Sequence, residues 1–441
     1  MSRYKPYPKY KKSGVEWLGE VPEHWEIHQL QHSVDGCVNG IWGNEPNGKD
    51  DLVVIRVADF NRQNFSVNTN KLTKRAISNQ ERKNRLLKKG DLLLEKSGGG
   101  DNQLVGAVVR FDEEFDAVTS NFVAKMTPLS KFDSQFLTYA FSHLYAGRVN
   151  YMSIKQNTGI QNLDSSQYLR EYFSFPSKNE QTTIANFLDR ETAKIGTLIS
   201  KQERLIELLQ EKRQALISHA VTKGLDPNVK MKESGVAWLG EVPEHWEVKK
   251  FKYLFKIKKR IAGKLGYDVL SITQKGIKVK DIESGEGQLS SDYSKYQIVR
   301  VGDFAMNHMD LLTGFVDLSK FDGVTSPDYR VFSLVQQNAS SEYYMYILQM
   351  GYLNKLFYPF GQGSSHLGRW RLPTEAFNEF VAPFPPLDEQ VKISEYIKES
   401  LEKFEVLTQK ANQAIKLLKE RRTALISAAV TGKIDVRQEL K

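Results

Sequence analysis

SGVEWLGEVPEHWE at Ser13–Glu26 and SGVAWLGEVPEHWE at Ser234–Glu247 are one segment written twice, thirteen of fourteen positions agreeing at an offset of 221. Chance does not give such a match, so the chain is built on an internal duplication. A second pair lies further along. NEQTTIANFL from Asn179 answers DEQVKISEYI from Asp388 at an offset of 209, which runs on through EKRQALISHAVT (Glu211–Thr222) and ERRTALISAAVT (Glu420–Thr431). This second repeat keeps one length in both copies. The material between the two anchors is 12 residues shorter in copy two.

The intervening segments diverge, with short landmarks in common: Gly90-Asp91 with Gly302-Asp303, and Val118-Thr119-Ser120 with Val324-Thr325-Ser326. Both segments alternate β-like runs (LVVIRV from Leu52, LVGAVVRF from Leu104, DVLSI from Asp268, YRVFSL from Tyr329) with Gly and Asn punctuation. A helix-like stretch follows in each, near Ser134–Leu144 and Ser341–Leu353. From Asn179 to Thr222 there is no proline, and only Gly196 interrupts good helix formers. Apolar residues at Ile184, Leu188, Ile195, Leu198, Leu205, Leu209 and Leu216 follow a 3/4/7 spacing. The matching positions of copy two are Ile393, Ile397, Phe404, Leu407, Ala414, Leu418 and Leu425. Two long helices with matched seams pack most simply on each other as a coiled coil.

Chain direction then makes that pair antiparallel, since the first helix leads into the second domain and the second helix must return along it. The expected class is α+β: two small α+β domains joined by two long helices in an antiparallel coiled coil, pseudo-twofold symmetric, a domain at each end. Expected boundaries are 1–178 and 225–387 for the domains, and 179–224 and 388–441 for the helices. Equivalence also requires Ser13 to lie near the end of helix two, as Ser234 lies near the end of helix one, so the two termini should meet.

The 441 residues match roughly three domains of ordinary size, with 40% hydrophobic and 26% charged residues. No apolar run reaches membrane-spanning length, and the basic N-terminus lacks the apolar core of a secretory signal. Cys37 is the single cysteine, which excludes an intramolecular disulfide and any cysteine-based metal site. A reducing, cytoplasmic location is the simple expectation. Lys and Arg exceed Asp and Glu by nine, and eleven of them fall between Lys249 and Asp281 against two Asp, interleaved with Phe251, Tyr253, Phe255 and Tyr267. A solvated face would do for such a run; phosphate contact fits the interleaved aromatics better.

Fixed and variable segments in this order resemble the specificity subunit of Type I restriction–modification systems, the HsdS family. The residues that carry the resemblance are WLGEVPEHWE (Trp17–Glu26, Trp238–Glu247), PFPPLDEQ (Pro383–Gln390), its weaker counterpart SFPSKNEQ (Ser174–Gln181), and the ALIS-AVT helix ends. The resemblance covers essentially the whole chain. It implies that the two variable domains are target-recognition domains, each reading half of a split, asymmetric site in double-stranded DNA. It implies that the helices act as a spacer and dock two modification subunits, which methylate adenine with S-adenosylmethionine. Restriction motor-nuclease subunits using ATP and Mg would join them, and this chain would carry no cofactor, no metal and no catalytic residue.

Base reading needs Arg, Lys, Asn and Gln forks on groove-edge loops, and phosphate contact needs basic and small residues. In the first domain the candidates are Arg56, Asn61 and Arg62 on Ile55–Asn64; Lys96, Ser97 and Asn102 on Glu95–Gln103; and Lys155, Gln156, Asn157 and Gln161 on Lys155–Asn162. In the second they are Thr273, Gln274 and Lys275; Asn307 and His308; and Ser364, Arg369, Trp370 and Arg371. The repeated Trp17, His24, Trp25, Trp238, His245 and Trp246 are candidates for partner docking. Helix pairing falls to Leu188, Ile195, Leu198, Leu205, Leu209 and Leu216 with Ile397, Phe404, Leu407, Leu418 and Leu425.

Rival readings have less behind them. There is no P-loop and no H-E-x-x-H motif, and no N-P-P-[FY] or D-P-P-Y run of amino-methyltransferases. Glu244…Glu247-Val248-Lys249 has the end of a nuclease motif but no supporting Asp, and copy one has His28 where the lysine would be. A lone nuclease or methyltransferase would turn over DNA unaided. A coiled-coil adaptor would bind none, without the steep loss in salt that phosphate contacts produce.

Overall fold

In the computed structural model, which describes residues 4–99, 103–157, 159–281, 292–363 and 370–438, the chain forms two compact units. One takes Met1–Gln202 and Gln413–Lys441, the other Glu203–Asn412. Each therefore holds one mixed domain, the start of the helix that follows it, and the end of the other copy's helix. Among the described residues no helix is long and apolar enough to cross a membrane.

The repeated segments pair in the same register in both copies. Tyr10–Lys12 pairs with Glu20–Pro22 and Met231–Glu233 with Glu241–Pro243, Tyr10 opposite Pro22 and Met231 opposite Pro243. Glu26–Gln29 pairs with Tyr172–Phe175, and Glu247–Lys250 with Val381–Phe384; Glu26 faces Phe175 and Glu247 faces Phe384. Each partner moves by its own offset and the register survives both. The short landmarks are equivalent too. Asp91 accepts from the Lys88 amide at 2.7 Å and Asp303 from the Arg300 amide at 2.9 Å, closing the same turn.

The first domain is built on six strands ordered Val34–Asn39, Val123–Pro128, Leu92–Glu95, Val108–Arg110, Ser66–Val67, Phe60–Asn61. All neighbours are antiparallel except Val108–Arg110 beside Ser66–Val67. Leu92 and Leu94 enter one core and Leu93 another, as a strand covered on both faces requires. Over the first core lies the helix Ser134–Ala146, capped by Asp133 and burying Phe136, Leu137, Phe141 and Leu144. The second domain has four antiparallel strands, ordered Phe255–Lys258, Arg330–Leu334, Phe304–Met306, Val316–Leu318, and the equivalent helix Ser341–Leu353. Phe251, Phe255, Phe304, Phe332 and Phe377 fill its centre, all fully or nearly fully buried.

The long helices run Lys178–Lys223 and Leu387–Val430, the first within a residue of its expected bounds and the second ending eleven residues before the terminus. Beyond Val430 the chain turns, and Ile434 and Val436 join the core of the first unit. In that unit Ile184, Phe187 and Leu188 share a core with Ile426, Ala429 and Val430; in the other, Ile217, Ala220 and Val221 share one with Ile393 and Ile397. The start of each helix thus meets the end of the other, which is an antiparallel pairing. Leu188, Ile195, Leu209 and Ile397 are buried, and Leu216, Phe404, Leu418 and Leu425 half-buried, as a seam requires. Leu198, Leu205 and Leu407 are not in it: they stand 45%, 40% and 45% exposed, and Ile199 and Ala411 are buried instead. A helix of 3.6 residues per turn drifts off a strict heptad reading, and near Ile199 the buried stripe has moved by one residue.

Both helices end on a glycine in the left-handed region, Gly224 at φ +80° and Gly432 at φ +71°. A Cβ there would lie 3.3 Å from Trp246 in one case and from Trp25 in the other. The chain order differs, Lys223-Gly224 against Gly432-Lys433, yet Lys223 donates to the Glu241 carbonyl and Lys433 to that of Glu20, equivalent positions of the repeat. In the first unit Tyr10 donates to the Gly432 carbonyl at 2.9 Å and the Asp435 amide to the Lys5 carbonyl at 2.7 Å. The termini meet there.

Candidate nucleic-acid interface

The repeated residues form the frame that carries the loops. Glu180 and Glu389 open the two long helices, where a carboxylate suits the helix dipole. Glu180 accepts from the Trp25 indole at 3.2 Å and from the Tyr7 hydroxyl at 2.8 Å, with His24 at 2.9 Å; Glu389 accepts from the Trp246 indole at 2.9 Å, with His245 at 2.6 Å. The next residue faces the other way. Gln181 accepts from the Asp133 amide and Gln390 from the Ser340 amide, so each ties its long helix to the N-cap of the domain helix. Trp25 and Trp246 are fully buried and cannot dock a partner, which corrects the expectation for both: repetition marks frame residues without saying which way they face. His24 and His245 keep about half their surface, at 47% and 46%. Trp17 stacks on Phe173 and Trp238 on Phe380, Trp17 remaining 37% exposed.

On this frame the three candidate segments of the first domain converge. Ser97–Gly98 pairs with Ile160–Leu163, Ser97 opposite Asn162, and that strand pairs in turn with Ile154–Asn157. The 3₁₀ turn Val57–Asp59 comes up beside them, and together they surround a cavity of about 550 Å³ lined by Arg56, Val57, Ala58, Ser97, Gly98, Gly99 and Ile160. Its other wall is Trp42, Ser120, Asn121 and Phe122, which sequence reading did not single out. The one signal was Val118-Thr119-Ser120, read there as a repeat landmark.

Most of the polar candidates are spoken for. Arg56 donates twice to Asp59, at 2.9 and 3.2 Å, and Arg62 to Glu95 at 2.8 Å. Glu95 is fully buried, and burial pushes its carboxyl up despite that guanidinium. Asn61 accepts from the amides of Gln63 and Asn64 and so closes its own turn. Lys96 donates to Asn39 and Ser97 to Asn162, while Lys155 donates to Asp164 with 70% of its side chain exposed. Gln161 is 4% exposed and accepts from the Val105 amide, so it supports the loops from beneath and is withdrawn as a contact residue. Gln156 is exposed. Asn102, and the side chain of Asn157, lie outside the described residues.

In the second domain Thr273 closes the hairpin Leu270–Val279 through the Gly276 carbonyl, leaving Gln274 and Lys275 exposed at its tip. Two other candidate segments meet: the Leu372 amide donates to the His308 carbonyl and the Leu311 amide to that of Trp370, both at 2.9 Å. Trp370 packs on Tyr358 and donates to its carbonyl at 2.8 Å; Arg371 is exposed. Burial, with Arg330 and Arg371 nearby, holds His308 down to about 4, so it is neutral at ordinary pH. Arg330, 4% exposed, is pulled down to about 10 by burial and sits 4.7 Å from the Phe377 ring centre. Ser364 and Arg369 lie outside the described residues. The basic run from Lys249 is partly paired, Lys250 and Lys252 sharing Glu379, whose carboxyl they hold at about 2.

A family model of the Type I restriction modification DNA specificity domain matches residues 43–208 and 243–417. The type I restriction enzyme MjaVIII specificity subunit of Methanocaldococcus jannaschii is 25% identical over 300 residues, 64% of this chain and 66% of that protein. The chain spans about half to two thirds of the length of the curated relatives it matches. Among solved structures, a chain from a study of complex assembly and conformational transition in a type I restriction–modification system superposes with a TM-score of 0.65 at 10% identity, covering 93% of this chain and 98% of that one. The HsdS subunit of Thermoanaerobacter tengcongensis gives 0.53 at 11% identity, over 96% and 100%. At these identities the superpositions speak for the fold.

Proposed function

This chain belongs to the family of Type I restriction–modification specificity subunits, and from that premise we propose that it is the non-catalytic subunit that reads a bipartite, asymmetric DNA site. One observation supports this above the others: the same frame, pairing in the same register, carries two domains whose loops share almost no sequence. Like frames suit two copies of one partner; unlike loops suit unlike half-sites. The partners are double-stranded DNA, two adenine-methyltransferase subunits and restriction motor-nuclease subunits. S-adenosylmethionine belongs to the methyltransferases, ATP and Mg to the motors. Leu198, Leu205, Val406, Leu407 and Leu417 are exposed on the long helices, apolar surface of the kind that partner helices cover. Trp17 adds an exposed aromatic on the repeat.

Methylome sequencing tests the reading. Inserting about seven residues, two helical turns, into each long helix lengthens it by about 10 Å. The gap between the methylated half-sites then grows by a few base pairs while both half-site sequences stay the same. Changed half-sites with an unchanged gap would sink the proposal, as would methylation or cleavage by the purified chain alone with S-adenosylmethionine or Mg.

A further inference from the structure

We propose that the cavity of the first domain receives a nucleobase turned out of the DNA duplex, so that one base of the half-site is read by enclosure. The inference rests on the DNA-reading assignment above and goes past it.

Reading a groove edge takes free hydrogen-bonding forks. Here Arg56 is held by Asp59, Arg62 by Glu95 and Asn61 by its own turn, and Gln161 is buried. Gln156 and Lys155 stay exposed on these loops and Asn121 at the cavity, but the large faces at the cavity itself are apolar: Trp42, Phe122 and Ile160 are 37%, 47% and 51% exposed around it. Against a polar groove edge those faces have no match. Against the flat face of an unstacked base they stack, whichever base it is.

Just beneath the cavity wall lies a hydroxyl with no partner among the described residues. Ser120 is 1% exposed and lines the cavity, and among the described residues its hydroxyl has no hydrogen-bond partner. A buried hydroxyl without a partner is costly; an occupant that opens the wall at Ser120 would complete it, and every base edge carries the atoms to do so. The wall opposite is backbone, Gly98 and Gly99 at φ +129° and +67°, where a side chain at Gly99 would collide with the Gln103 carbonyl at 2.7 Å. Arg75 holds the Trp42 ring from 4.7 Å and is itself paired with Glu45. A space of about 550 Å³ falls within the range of small-ligand sites, with room for the sugar as well as the base.

Turning a base out costs its pairing and stacking, least where the pair is already weak. That sets the sign of the test. With the half-site of the first domain known from the methylome, duplexes carry a mismatch at each position in turn, one strand kept and its partner changed. Binding is titrated with the complex of this chain and its modification subunits. At one position other than the methylated adenine, the mismatch tightens binding by about 10-fold; groove-edge reading instead loosens binding at every position. Trp42→Ala and Phe122→Ala each weaken binding to the matched duplex by about 10-fold and cancel the gain. Phe122→Tyr keeps the ring and the gain, which controls for folding. Loosening at every position with methylation intact overturns the cavity inference alone, as does a gain that survives both alanine variants, or a free nucleoside bound there while mismatches only loosen. A wild-type complex that leaves no bipartite methylation overturns the functional reading, and this inference with it.

Discussion

Glu180 and Glu389 hold equivalent places, yet their surroundings differ by one donor. Glu180 is 7% exposed and takes the Tyr7 hydroxyl in addition to the indole and imidazole; Glu389 keeps 32% of its side chain in solvent and, among the described residues, takes the latter two. Removing a buried acceptor strands its donors, at about 1–3 kcal/mol. Glu180→Ala should therefore lower the thermal midpoint more than Glu389→Ala, and equal losses would show that the Tyr7 contact contributes nothing. His308 carries a pH dependence. Its folded pKa of about 4 lies below the ordinary 6.5, so the unfolded chain takes up the proton first as pH falls. Stability from this residue is complete above about 6.5, declines toward about 4, and is flat below. In pH-dependent melting His308→Asn should flatten part of that decline; a profile parallel to wild type would show that His308 is not held neutral. At this scale the sequence singled out Trp25 and Trp246 by their repetition, but not their direction. Facing inward is a matter of what packs over them, here the end of the other copy's helix.

The elements were more legible than their faces. A proline-free run predicts a long helix because each residue keeps its amide donor and its propensity, and the first helix starts and stops within one residue of expectation. The seam was legible at its ends and misread at Leu198, Leu205 and Leu407, because a heptad written over straight helix slips by a residue in a few turns. Leu209, 8% exposed, and Leu205, 40% exposed, lie on one helix and separate the readings. Leu209→Ala should cost about 2 kcal/mol or more and Leu205→Ala no more than about 0.5 kcal/mol in denaturant unfolding. A loss at Leu205 equal to that at Leu209 would restore the heptad. Leu205→Ala should instead weaken capture of the modification subunits, if those leucines serve as proposed. The glycine stops are unequal: a Cβ at Gly432 meets Pro22 at 2.4 Å, whereas one at Gly224 meets nothing nearer than 3.3 Å.

For the whole molecule, the closure of the first unit by residues from both ends of the chain has a direct consequence. Tyr10, Lys5, Gly432 and Asp435 are hydrogen-bonded there, and Arg437 lies 4.9 Å over the Tyr7 ring. A circular permutant that joins the ends and opens in the linker 224–230 should fold and, with the modification subunits, direct methylation to the same bipartite site. Deleting 431–441, which removes the buried Ile434 and Val436, should destabilise the first unit. A truncated chain with an unchanged melting curve would refute the role given to this segment.

The duplication, the two long helices, the α+β class and the meeting of the termini were determined by sequence alone, because each follows from local propensity, from periodicity, or from chain direction applied to a repeat. The candidate loops were legible as segments, and all three of the first domain reached one cavity. Which of their side chains remain free was decided only by tertiary structure. Arg56, Arg62, Asn61 and Gln161 look like readers in sequence and are consumed by Asp59, Glu95, a local turn and burial; Trp42, Ser120 and Phe122 carry no such mark in sequence and line the opening. The Arg56 and Asn61 bonds are local, but the Arg62–Glu95 bond and the burial of Gln161 under Val105 join residues 33 and 56 positions apart and leave no periodicity to find, so their availability, unlike helix or repeat, cannot be read along the chain.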